Sequence, residues 1–110
     1  MMYETGDKHT QYFLNWSDRG ADVKACAEHW SQNVENVLLV LTENKEPQDE
    51  FLKAIESWKS KAEDKKKSFV ISGDVKFCKS YFADIECAPT VSEAQDIIFM
   101  EEVEREIDNM

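Results

Sequence analysis

Val37-Leu38-Leu39-Val40-Leu41 is the stretch that decides the fold. Five apolar residues follow one another without a polar interruption, two of them β-branched, between Asn36 and Thr42-Glu43-Asn44. Such a run has no polar face to turn to water. It therefore predicts a strand covered on both sides, as in a parallel sheet between helices. On its C-terminal side a helix is predicted over residues 47–65. Pro47 suits a first helical position, where the missing N–H costs nothing. Phe51, Ile55, Trp58 and Ala62 then fall on one face, with Leu52 beside them. Asp49 and Glu50 sit near the positive end of the helix dipole, and Lys65, Lys66 and Lys67 near the negative end.

On its N-terminal side, Val23, Cys26, Ala27, Trp30 and Val34 recur at helical spacing, which predicts a helix over 22–34 capped by the Asp22 carboxylate. Before it, Thr10 to Trp16 alternates, with Tyr12, Leu14 and Trp16 on one face and Phe13 on the other. Gly6-Asp7 supplies a turn back to a short strand at Tyr3 to Thr5, Gly6 tolerating positive φ. Phe69-Val70-Ile71 is a second short buried strand, broken by Gly73-Asp74. Val75 to Asp84 reads as one or two turns of helix, and Ile85 to Ala88 as a short edge strand. Thr90-Val91-Ser92-Glu93 is a capping box opening a last helix over 91–107, with Val91, Ala94, Ile97, Ile98, Val103 and Ile107 as its apolar series. Strands alternating with helices after a leading hairpin imply an α/β fold: a mixed, mostly parallel sheet of four to five strands with helices packed on it and a long C-terminal helix.

The 110 residues support a single domain, 1–110. Charge is uneven: residues 84–110 carry -8 of the net -10. An acidic surface repels phosphate backbones and anionic membranes, so neither nucleic acid nor membrane is an expected partner. No apolar run is long enough to span a bilayer, and the first sixteen residues show no secretory leader. Three cysteines are too few for a disulfide framework, and point to free thiols in a reducing, cytoplasmic setting.

The element order resembles the STAS family of anti-sigma-factor antagonists. The closing segment Ala88-Pro89-Thr90-Val91-Ser92-Glu93-Ala94, running on to Glu106, is similar to the last helix of small STAS-like proteins. The resemblance implies a bacterial regulatory component that binds a kinase partner and is switched by phosphorylation of a Ser or Thr at the N-terminus of the helix after the central strand. Here that stretch reads Leu41-Thr42-Glu43-Asn44-Lys45-Glu46-Pro47-Gln48-Asp49-Glu50. It holds no serine, and Thr42 lies several residues too early, so no phosphosite carries over. Asp49 or Glu50 would stand where the phosphate would, or simply stabilise a helix start.

No other motif supplies chemistry. His9 and His29 lack metal-ligand spacing, and Cys26 with His29 gives two ligands where structural zinc needs four. Cys78 and Cys87 have no local base to activate a nucleophile. Glycine only at 6, 20 and 73 rules out a phosphate-binding loop. Asp74 lacks companion acids for magnesium. Trp16, Trp30 and Trp58 read as core. Phe99 and Met100 lie beside the Ile97/Ile98 stripe, either widening the buried face or forming an exposed patch. Catalytic, cofactor and metal sites are therefore not expected. The expected activity is non-enzymatic docking of a protein with a basic or mixed surface, through Thr42, Asn44, Asp49, Glu50, Phe99, Met100, Glu101 and Glu102. Alternatives are a small-molecule or lipid-binding domain whose aromatics line an apolar cavity, an enzyme using Cys78 or Cys87, and a homodimer paired through an edge strand.

Overall fold

The Val37–Leu41 run lies at the centre of a five-stranded sheet in the computed structural model, which describes residues 2–108. The elements are β1 (Met2–Thr5), β2 (His9–Asn15), α1 (Gly20–Gln32), β3 (Asn36–Thr42), α2 (Asp49–Asp64), β4 (Phe69–Ser72), α3 (Val75–Tyr81), β5 (Glu86–Ala88) and α4 (Val91–Asp108). Strands lie in chain order across the sheet. Only β1 and β2 are antiparallel; β2, β3, β4 and β5 run parallel.

That linear order fixes the layering. Right-handed crossovers that always step to the next strand in one direction put every connecting helix on the same face. Accordingly Val23, Trp30, Phe51, Trp58, Cys78 and their neighbours from α1, α2 and α3 pack against Tyr12, Leu39, Leu41, Phe69 and Ile71. The residues between these positions, Leu38 and Val70 together with Ala88, point the other way and meet Ala94 and Ile98 of α4. One strand run thus serves two cores, and for that reason it contains no polar residue.

Several boundaries differ from the sequence reading for local physical reasons. Helix α1 starts two residues before Asp22. Arg19 is the N-cap, and the Asp22 carboxylate reaches back to accept from the Arg19 N–H at 3.0 Å, so Asp22 supplies the N3 half of a capping box that the Arg19 side chain does not complete. Pro47 stands before the α2 cap, Gln48, and is itself buried. In the hairpin turn the positive φ falls on Lys8 at 64°, not on Gly6. A Cβ at Gly6 would sit 2.6 Å from the His9 ring Nε2, so any larger residue there would have to displace that ring. Asp74 caps α3, accepting from the Phe77 N–H at 3.0 Å. The cysteine expectation is overturned: Cys78 of α3 and Cys87 of β5, with Cα atoms 6.8 Å apart, form a disulfide, and Cys26 alone remains free. Only the return of the chain from α3 into β5 brings this pair together, and spacing could not show it. Burial pushes the Cys26 thiol up to about 11, so it is protonated and inert at neutral pH.

The end of α2 carries an adjustable strain. The Lys67 N–H donates to the Ala62 carbonyl and the Lys66 N–H to the Glu63 carbonyl, both at 2.9 Å, which is a Schellman ending. Lys66 holds φ at 57°, where a side chain is unfavourable. Lys66→Gly is therefore expected to raise stability by about 0.5–1 kcal/mol, read as a higher urea midpoint at unchanged slope.

Candidate interaction surface

Helix α4 is built on two unlike faces. The Glu93 N–H donates to Thr90 Oγ1 at 3.1 Å, securing the helix start. Ala94 and Ile98 then sink into the sheet. Past Ile98 the inward positions become polar: Glu101, Glu102 and Arg105 are half-buried, whereas Val103 and Ile107 of the anticipated apolar series point outward. The reason lies in the sheet. At this end α4 passes the N-terminal ends of β2, β3 and β4, where Asn36 is fully buried and offers a polar partner.

Asn36 organises that end of the molecule. Its Nδ2 donates to the Lys8 carbonyl at 2.7 Å and to Glu102 Oε1 at 2.8 Å. Its Oδ1 accepts from the Ser68 N–H at 2.8 Å and from Arg105 Nη2 at 3.2 Å. Arg105 also donates to Ser68 Oγ at 3.1 Å and to Glu102 at 2.7 Å. The Arg105 bond, then that from Asn36, holds the Glu102 carboxyl below the usual carboxylate range. Periodicity could not reveal this network, because it joins residues up to 69 apart in sequence.

The outward face of α4 is apolar where a helix surface is normally polar. Phe99, Met100 and Ile107 are each more than 60% exposed and Val103 38%. The open question about Phe99 and Met100 is thus settled in favour of an exposed patch. Glu104 and Glu106 lie on either side of it by helical geometry, both exposed. The remaining predicted surface residues lie elsewhere. Thr42 ends β3, and its hydroxyl donates to Asn15 Oδ1 across the parallel ladder. Asn44 donates to the Asp74 carboxylate at 3.2 Å. Asp49 and Glu50 occupy the exposed first turn of α2. These four lie at or just beyond the C-terminal end of β3 and the start of α2, while Phe99 to Glu102 ride on α4, whose polar residues reach the opposite, N-terminal ends of the strands. The eight residues do not make one surface, and Glu102 is committed to the internal network.

A cleft of about 330 Å³ separates α4 from the hairpin, lined by His9, Gln11, Gln95, Ile98, Phe99 and Glu102 among others. His9 shares a 3.0 Å hydrogen bond between Nδ1 and the Asp7 carbonyl, and its buried Nε2 has no partner among the described residues. His29 is half-buried, bonded to the Tyr12 hydroxyl at 2.9 Å, with its ring tilted against that of Tyr3 at 4.1 Å between centres. Among the described residues no group of three or more His, Cys, Asp or Glu is arranged to hold a metal ion, and no helix is long and apolar enough to cross a membrane. Compared with known proteins, the chain matches no family model and no curated sequence.

Proposed function

We propose that this chain is a non-enzymatic docking module that engages a protein partner through the outer face of α4. The observation that carries the reading is the stripe Phe99, Met100, Val103 and Ile107, exposed on an acidic helix. Contiguous apolar exposure rimmed by charge is the ordinary mark of an interaction site. Opposite charge on the partner would speed encounter and the apolar centre would supply affinity. The order of elements, a hairpin and then alternating helices and strands with a closing helix, supports kinship in architecture with anti-sigma-factor antagonists. No hydroxyl residue stands in the first turn of α2, so the proposed docking does not depend on a phosphate there.

The test is affinity capture from native lysate with wild-type protein and with Val103→Glu, at low and high salt. Wild type is expected to retain a partner that elutes with salt, and Val103→Glu to lose it while keeping the same thermal midpoint. Equal retention by both proteins would refute docking through α4.

A second reading has one observation in its favour, the cleft between hairpin and α4 with the unpartnered His9 Nε2 at its margin. A small amphipathic ligand would suit its mixed lining. Native mass spectrometry of protein purified without denaturation checks this: a co-purified mass supports it, and a bare chain that stays bare on incubation with metabolite extract removes it.

A further inference from the structure

Resting on the docking reading, we propose that the element seated on α4 is an amphipathic helix with lysine or arginine along both flanks, paired in the manner of a coiled coil. Met100, Val103 and Ile107 are spaced three and four apart, the a-d-a rhythm of a heptad. In that frame Glu104 takes position e and Glu106 position g, the two places that flank a coiled-coil seam and select its partner. The side facing the sheet is already used: Ala94 and Ile98 pack on it, and Glu102 and Arg105 bond to Asn36 and Ser68. Helix α4 is thus anchored along one side and carries a seam along the other, over about 10 Å from Met100 to Ile107, with Phe99 at the flanking g position before it.

Charge decides the occupant. A second copy laid antiparallel on this seam would set Glu104 against Glu104 and Glu106 against Glu106, and like charges at these positions oppose pairing. Among the described residues the ion pair of Glu106 is with Lys8, at 3.9 Å between two exposed side chains, a pair too loose and solvated to neutralise it firmly. A strand or extended peptide would match neither the spacing nor the two-sided acid rim. A helix with basic e and g positions satisfies both. The short seam implies an interface smaller than a standard stable one and therefore a fast, reversible complex.

Synthetic peptides of about three heptads test this by fluorescence anisotropy. One carries Leu at a and d with Lys at e and g, a second the same with Glu at e and g, a third the lysine sequence scrambled, and a fourth the lysine sequence broken by a central proline. The lysine helix is expected to bind wild type at least about 10-fold tighter than the other three, and to weaken about 10-fold between low and high salt. In the double variant Glu104→Lys/Glu106→Lys, preference is expected to pass to the glutamate helix. Equal binding of the scrambled or proline-broken peptide would show general attraction to an acidic protein and overturn the proposal. So would light scattering that shows a dimer dispersed by Val103→Glu, since a second copy would then own the seam. If Val103→Glu abolishes lysate capture yet no helix peptide binds, docking through α4 stands and the helical partner falls.

Discussion

Trp16→Ala is expected to destabilise the protein by about 3–5 kcal/mol, the range for emptying an aromatic core position. Trp16 is fully buried just beyond β2. Its ring centre lies 4.9 Å from Phe77, 5.7 Å from Tyr81, 5.9 Å from Phe82 and 6.1 Å from Phe51. One side chain therefore joins the sheet to both α2 and α3. Helix α3 has only seven residues, too short to persist without such packing. A loss of this size is a large share of the roughly 5–15 kcal/mol available to a domain. Urea unfolding measures it. Trp16→Phe makes a sharper comparison. The indole N–H is buried without a partner, so losing it sacrifices no hydrogen bond, and the phenyl ring keeps much of the contact area. Trp16→Phe should cost no more than about 1.5 kcal/mol. Equal losses for both variants would show that the aromatic cluster is not what holds α3.

Asn36→Ala is expected to cost about 3 kcal/mol, because it strands four groups at once. The Ser68 N–H and the Lys8 carbonyl lose a partner in a buried setting, and Glu102 and Arg105 lose their anchor to the sheet. The same network gives stability a pH dependence. Glu102 titrates below its ordinary value of 4.5 in the folded protein, chiefly through Arg105 and then Asn36. The unfolded chain therefore takes up that proton first on acidification. The contribution is complete above the ordinary carboxylate range and is lost as pH falls through the lowered folded value. Wild-type stability should decline below about pH 4.5, and Glu102→Gln should decline less steeply, having no proton to gain at that position. Parallel curves would mean that other carboxylates govern the acid limb.

Local pattern revealed most of the architecture and little of the surface. The Val37–Leu41 run, the Phe51-Ile55-Trp58-Ala62 face and the alternation through Tyr12, Leu14 and Trp16 each repeat a simple period, and each is buried as that period requires. Helix α4 shows where this reasoning ends. Val103 and Ile107 continue the apolar spacing of Ala94 and Ile98 loosely enough to pass as one stripe, yet they sit on the far side. The inward positions there go to Glu102 and Arg105, and only the proximity of buried Asn36 explains why charge is preferred. The Cys78–Cys87 disulfide and the His9 ring over Gly6 have the same character. Each depends on where the chain returns in space, which spacing along the sequence does not record.

Glu101, Glu102, Glu104, Glu106 and Asp108 crowd the C-terminal half of α4, against the helix dipole. Glu102 has an internal reason for its place. Among the described residues Glu104 and Glu106 have no ion pair beyond the loose Lys8 contact, and beside an apolar seam they make sense as a rim facing outward. A titration of ¹⁵N-labelled protein with the lysine-flanked helix, followed amide by amide, addresses this account most directly. Shifts gathered on Phe99 through Ile107, with Thr42, Asn44, Asp49 and Glu50 unmoved, are the predicted result. Shifts gathered instead at those four residues, with the outer side of α4 silent, would contradict it.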